Sequence, residues 1–160
     1  DESWNRSDNP ENLRQAFGSF GGAAGALLDD VREVKLWGLF RHPVAQTWGH
    51  DGVALLGDAA HPTLPFMAQG ANMALEDAYA LADCLGQAED LAAGLAAYQT
   101  RRRTRASKVV EAANGNAWKY HLRPPLSWPA HQILRAAGSL APQKMVSQFD
   151  WIYRHDETAL

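Results

Sequence analysis

The chain has 160 residues, of which 46% are hydrophobic and 21% are charged, and its formal net charge is -3. These values suit one soluble globular domain and exclude a disordered chain, and they give no reason to expect a nucleic acid or an anionic membrane as partner. The sequence has one cysteine, no run of ~20 apolar residues and no secretory signal, so we expect no internal disulfide, no membrane span and a cytoplasmic location.

The first forty residues predict a helix followed by a strand. Asn9 and Pro10 form a typical helix start, so we expect a helix over residues 10–17, broken by the glycine-rich segment 18–25. The apolar and aromatic residues at 34–40 are typical of a strand.

A second strand is predicted before the segment that carries the chemistry. Residues 48–52 have the composition of a turn, and the short apolar run at 53–56 is typical of a buried strand in a parallel sheet. Two strands do not form a stable sheet by themselves, since three or more with a covered face are usually needed. We therefore expect that this chain lacks a structural partner.

The remainder of the chain predicts four helical segments. Apolar residues recur at helical spacing in residues 72–85 and 90–120, and residues 128–140 and 143–153 are predicted as two further helices. The fold class is therefore α/β, rich in helices and with few strands.

The loop after the second predicted strand combines features that a nucleotide cofactor could use. Gly57 lets the backbone approach a ligand, and Asp58 offers a carboxylate to sugar or ribityl hydroxyls. Pro62 and Pro65 stiffen the loop, and the helix start at residues 70–72 presents free amides and a positive dipole end. The alternative is an ordinary strand-to-helix loop with Asp58 as a cap, and the residues alone leave both open.

The sequence of this loop resembles the second FAD-binding motif of the class A flavoprotein aromatic hydroxylases. From Gly57 onwards it reads GDAAHPTLPFMAQGANMALEDA. The resemblance is strong over residues 57–85, extends more loosely to residues 149–153, and is closer to the salicylate and 3-hydroxybenzoate branch. It implies that the chain is the helix-rich C-terminal portion of a Rossmann-like FAD-binding monooxygenase fold. Residues 1–50 would be the tail of the substrate domain, and residues 51–160 the C-terminal part of the FAD-binding domain with a helical extension.

The resemblance also implies roles for individual residues. The Asp58 carboxylate would bind the ribityl chain of FAD, and the helix start would face the pyrimidine side of the flavin ring. Ala68 stands where many relatives have glycine, and we expect a negative φ there. No catalytic residue and no metal site are assigned. The cofactor-binding residues would be Gly57, Asp58, Pro65, Gln69, Gly70, Ala71 and Asn72, and the substrate pocket would be bordered by Pro65 and Phe66.

The activity that the resemblance implies for the complete protein is hydroxylation of a small aromatic substrate, using FAD, NADH or NADPH, and O2. The GxGxxG turn that binds the ADP half of FAD is absent. We therefore expect a missing N-terminal portion as partner, and we expect this chain alone to be inactive and to bind FAD weakly or not at all. The alternatives are a halogenase, an epoxidase, a reductase-like relative or a non-catalytic helical fragment, and a homodimer is allowed.

Several polar residues have a simpler interpretation. We expect His61 to be structural and not a general base, and Glu76 and Asp77 to be helix-start charges that suit the macrodipole. The arginines at 101, 102, 103 and 105 are expected on a solvated helix face, not in a nucleic-acid patch. The spacing of the histidines predicts no metal site.

Overall fold

The computed structural model describes residues 6–159, and the chain divides into two compact units between Phe40 and Arg41. Helices account for most of the regular structure, and the strands are two or three residues long. The prediction of a helix-rich chain with few strands is confirmed. Over the described range, none of the helices has both the length and the apolar character needed to cross a bilayer.

Within residues 6–40, the first unit is built from two strands and two helices. In chain order these are β1 (Arg6–Asp8), α1 (Pro10–Ala16), α2 (Gly22–Asp29) and β2 (Val34–Leu36). The strands pair antiparallel, with Arg6 opposite Leu36. Helix α1 begins as predicted, because the Asn9 side chain accepts a hydrogen bond from the Glu11 amide at 3.0 Å. The predicted break and the predicted strand are both shorter than expected, since α2 begins at Gly22 and β2 ends at Leu36.

Within residues 41–159, the second unit has two short strands followed by five helices. In chain order these are β3 (Gly49–His50), β4 (Val53–Ala54), α3 (Gly70–Gln87), α4 (Leu91–Tyr120), α5 (Ser127–Leu140), α6 (Pro142–Ser147) and α7 (Asp150–Tyr153). Three short 3-10 turns accompany them, at Gly57–Ala59, Pro65–Met67 and Glu157–Ala159. Helices α3, α4 and α5 agree closely with their predicted ranges, whereas the helix predicted at residues 143–153 is divided into α6 and α7.

Strands β3 and β4 form a tight hairpin, which corrects the buried parallel strand predicted at residues 53–56. Asp51 and Gly52 have φ angles of 49° and 79°, and two successive positive values are typical of the turns that join antiparallel strands. This turn places Val53 opposite His50 and leaves Val53 64% exposed. In the part of the chain that the structure describes, neither strand joins a parallel sheet.

The core of the second unit lies between α3, α4 and the chain around the hairpin. The indole Nε1 of Trp48 donates to the carbonyl of Ala45 at 2.9 Å, and the Tyr98 hydroxyl donates to the carbonyl of Leu55 at 3.0 Å. These bonds fix both sides of the hairpin against the core, and so place Gly57, where the candidate site begins. The fully buried hydrophobic side chains of this cluster are Trp48, Ala60, Met73, Ala80, Tyr98, Ala106 and Val109.

Candidate functional site

The loop after β4 turns sharply at Gly57 and presents Asp58 to solvent. Gly57 is buried with a φ of 55°, and a Cβ atom on it would lie 3.0 Å from Cβ of Ala74, so both the conformation and the space favour glycine. The next residue, Asp58, is exposed. Its carboxylate lies close to the start of α3, because a Cβ atom placed on Gly70 would be 3.9 Å from Oδ1 of Asp58. The predicted acceptor and the predicted helix start are therefore adjacent.

The first turn of α3 begins without a side-chain cap. Gln69 precedes the helix, is 3% exposed and makes no capping hydrogen bond. Gly70 is half-buried, and Ala71 and Asn72 are exposed. Amides in the first turn of a helix have no acceptor within the helix, and the macrodipole makes this end positive. The surface beside Asp58 can thus accept hydrogen bonds from hydroxyl groups on one side and donate them to carbonyl or anionic groups on the other.

The segment that joins these two parts is held by the end of α4 and by α7. Met67 is buried, and its carbonyl accepts a hydrogen bond from the Tyr153 hydroxyl at 3.3 Å. Phe66 stacks on Tyr120 with ring centroids 5.5 Å apart and an interplanar angle of 19°. Pro65 is exposed and Phe66 is half-buried, so both side chains predicted to border a substrate pocket are accessible.

Ala68 contradicts the negative φ expected for it. Its φ is 52° and its ψ is 33°, which is the left-handed region, and its amide bonds to the carbonyl of Pro65 at 3.3 Å. The tight return from the 3-10 turn into α3 imposes this conformation, at a cost of about 1–2 kcal/mol for a residue with a Cβ atom. The alanine therefore keeps a backbone conformation that a glycine adopts without strain.

A buried ion-pair network that was not expected from the sequence lies behind the site. Arg102 has no exposed surface and donates from Nε to Oδ1 of Asp77, which is also fully buried, at 2.8 Å. Its two terminal nitrogens donate to Glu157 at 2.5 Å and to Glu76 at 2.6 Å. The expected solvated helix face is thus wrong for Arg102, and the expected role as a helix-start charge is wrong for Asp77. The two residues are 25 positions apart, so no local pattern could have joined them.

The neighbouring arginines extend this network towards the surface. Arg105 donates from Nε to Glu76 at 2.8 Å. Arg101 donates from Nε to Glu157 at 2.6 Å and from Nη1 to Asp83 at 2.7 Å. Of the four arginines expected on a solvated face, Arg103 is exposed. The others are half-buried or buried, and they bind carboxylates of this same chain.

Asp77 also links the network to the loop of the site. Its Oδ2 atom accepts a hydrogen bond from the Gly57 amide at 3.0 Å and lies 2.5 Å from Nε2 of His61. Burial by itself would raise the pKa of Asp77, but hydrogen bonds from His61, Arg102 and Gly57 outweigh it, and the pKa is lowered. His61 is buried, and its Nδ1 atom has no hydrogen-bond partner among the described residues. Such an enclosed ring suits the structural role expected of His61.

Three potential metal ligands also come together in this network. The ligand atoms of Glu76, His155 and Glu157 lie within 4.8 Å of one another. Both carboxylates already accept hydrogen bonds from Arg102, and its positive charge opposes a cation at this distance. We therefore assign these side chains to ion pairing, and the expectation of no metal site stays a prediction.

Similar proteins match most of the chain, and some of them match nearly all of it. Residues 1–113 match a family model described as FAD binding domain. A salicylate hydroxylase of Pseudomonas putida is 36% identical over 98% of this chain and 35% of its own length. A 6-hydroxynicotinate 3-monooxygenase of Pseudomonas fluorescens is 38% identical over 73% of this chain and 32% of its own length. A solved structure described as a salicylate hydroxylase substrate complex matches with a TM-score of 0.73 and 32% identity, over 99% of this chain and 38% of that chain. The chain therefore spans about a third of the length of these relatives.

Proposed function

The chain belongs to the FAD binding domain family, and on this premise we propose that it is part of a flavin-dependent monooxygenase that hydroxylates a small aromatic substrate with NADH or NADPH and O2. The partner it needs is the remainder of the enzyme, since the chain spans about a third of its relatives. We assign residues 1–50 to the tail of the substrate domain and residues 51–160 to the C-terminal part of the FAD-binding domain with its helical extension. The protein would be cytoplasmic, in keeping with its single cysteine, and could pair as a homodimer.

The observation that carries this proposal is the position of Asp58 beside the first turn of α3. FAD has a ribityl chain with hydroxyl donors and a flavin ring with a carbonyl edge, and the two surfaces described above match these groups. Gly70 has no side chain, and the first atoms that a Cβ there would meet are Thr63 Cγ2 at 3.6 Å and Asp58 Oδ1 at 3.9 Å. These are ordinary contact distances, whereas Ala71 and Asn72 beside Gly70 are exposed, so the helix start is accessible to a ligand and the residues present fit the cofactor.

The residues of this chain bind and orient the cofactor, and FAD supplies the electron transfer and oxygen chemistry that side chains cannot perform. Asp58 would accept hydrogen bonds from the ribityl hydroxyls, and the first amides of α3 would stabilise negative charge on the pyrimidine side of the ring. Pro65 and Phe66 would border the substrate and help to exclude water. The proposed cofactor-binding set is Gly57, Asp58, Pro65, Gln69, Gly70, Ala71 and Asn72.

The test uses the full-length protein with Asp58→Ala and, as a matched control, Glu89→Ala, which removes an exposed carboxylate just beyond α3. Loss of a hydrogen bond to a charged group should weaken FAD binding about tenfold or more in Asp58→Ala and leave Glu89→Ala unchanged. Flavin content and the FAD dissociation constant measure this. NAD(P)H oxidation with salicylate and 6-hydroxynicotinate as first probes, with analysis of the organic product, tests the reaction. Unchanged flavin content in Asp58→Ala, or a product without a new hydroxyl group, would contradict the proposal.

A further inference from the structure

Both oxygens of the Asp77 carboxylate accept hydrogen bonds, and the three donors come from two separate parts of the chain. One oxygen accepts from Arg102 on α4 at 2.8 Å. The other accepts from the backbone amide of Gly57 at 3.0 Å and lies 2.5 Å from Nε2 of His61, so this ring nitrogen carries the proton that the charged carboxylate accepts. All of these contacts are buried. Two of the three donors belong to the loop that carries Asp58, and the third belongs to the core.

The Asp77 carboxylate can fix the conformation of the loop through its hydrogen bond with the Gly57 amide. The left-handed backbone of Gly57 is wedged against Ala74, which lies one helical turn before Asp77 on the same helix. Because Asp58 follows Gly57 directly, the orientation of the Gly57 amide limits where the Asp58 carboxylate can point. A hydrogen bond from that amide to a fixed, charged acceptor holds this orientation more firmly than a bond to a neutral one.

Arg102 keeps the acceptor charged and fixed. Its guanidinium group is rigid and planar, and with its other nitrogens bound to Glu76 and Glu157 it has no freedom to turn away from Asp77. A buried carboxylate without such a partner would bind a proton or rearrange. The Asp77–Arg102 ion pair thus affects the orientation of Asp58 through the backbone amide of Gly57.

We propose that Asp77, held by Arg102 and shared with His61, is a positioning residue for FAD, which fixes the Gly57 amide and thereby aims the Asp58 carboxylate at the ribityl chain. This inference rests on the proposed function. Asp77 does not touch the cofactor. Its contribution is to FAD affinity through a preorganised loop, beyond any contribution to the stability of the fold.

The test compares two isosteric changes in the full-length protein, Asp77→Asn and Glu157→Gln. Each replaces a buried carboxylate that binds Arg102 with an amide, but only Asp77 also binds the loop. An asparagine at position 77 must turn its NH2 group towards either Arg102 or the loop donors, so one set loses its acceptor. We expect the FAD dissociation constant to rise about tenfold or more in Asp77→Asn and no more than about threefold in Glu157→Gln, even where the two lose similar unfolding stability.

A second pair keeps the test decisive if Asp77→Asn does not fold. His61→Gln places an amide donor where Nε2 of the histidine stands, whereas His61→Leu removes the donor. FAD affinity should be close to that of the wild type in His61→Gln and clearly weaker in His61→Leu. Equal effects within each pair overturn the inference while FAD binding by the wild type keeps the proposed function. A full-length wild type that binds no FAD removes the proposed function and this inference together.

Discussion

The first and second turns of α3 belong to one helix but have opposite environments. In the first turn, Gly70 to Asn72 leave their amides without a side-chain cap and accessible beside Asp58. In the second, Glu76 and Asp77 are bound by arginines. The comparison shows how a site can be open and still be ordered. Amides without a side-chain cap thus lie about one turn away from carboxylates that already have partners, and one of these carboxylates, Asp77, also holds the Gly57 amide next to Asp58.

The largest expected effect comes from removing the cation of the second turn. Arg102→Met leaves Asp77 and Glu157 buried with fewer partners, and loss of one member of a buried ion pair costs about 3–5 kcal/mol of unfolding free energy. Chemical denaturation of the full-length protein measures this loss. The control is Arg103→Met, which changes an exposed neighbour and should shift the unfolding free energy by less than about 0.5 kcal/mol. Equal shifts in the two variants would show that the buried network adds no more to the unfolding free energy than an exposed arginine does.

An intermediate effect is expected at the junction of the two environments. Gly57→Ala places a Cβ atom at a φ of 55° and 3.0 Å from Ala74, so it should destabilise the protein by about 1–3 kcal/mol and weaken FAD binding as well. The same change at Gly115 in α4 meets no atom within 4 Å. Gly115→Ala should therefore stabilise by about 0.5–1 kcal/mol, because alanine is the better helix former. Thermal unfolding with and without FAD measures the stability and the FAD binding of both variants. A Gly57→Ala variant as stable as the wild type would contradict the strain expected from the positive φ and the contact with Ala74.

The smallest effect is expected at the proposed border of the substrate pocket, where Tyr120 stacks on Phe66. Tyr120→Leu removes the ring that stacks on Phe66, and an exposed aromatic pair contributes about 0.5 kcal/mol. We expect the KM for the aromatic substrate to rise about two- to threefold with FAD affinity unchanged. Tyr79→Leu makes the same substitution at a partly exposed tyrosine on α3 and should leave KM unaltered. A change in FAD affinity without a change in KM would place Phe66 outside the substrate pocket.

The helices and the outline of the site could be predicted because their signals are local. Residues 90–120 were expected to be helical and α4 occupies Leu91–Tyr120, with the Asp90 side chain accepting a hydrogen bond from the Ala93 amide at 2.8 Å. The position of Asp58 beside Gly70 was expected from the motif at residues 57–78, in which a proline-containing loop joins the carboxylate to the helix start. The roles of these residues in FAD binding stay a prediction.

What could not be predicted depends on contacts between distant segments. The charge run at Arg102 has the composition of a solvated surface, and only the fold brings Asp77, Glu76 and Glu157 around it. The sign of φ at Ala68 depends on how a 3-10 turn enters α3, which composition does not encode. The run at residues 53–56 was assigned to a parallel sheet because apolar runs are typical of such strands, but the turn at Asp51 pairs it with β3.

The order in which Arg102 meets its partners has a consequence for synthesis on the ribosome. Glu76 and Asp77 are already made when Arg102 is added, whereas Glu157 follows it by 55 residues. Helix α4 can therefore dock on α3 with part of its charge compensated while α5 to α7 are still being translated. When Glu157 is added, its carboxylate binds Arg101 and the remaining terminal nitrogen of Arg102, and so ties the end of the chain to the finished helices much as a cross-link would.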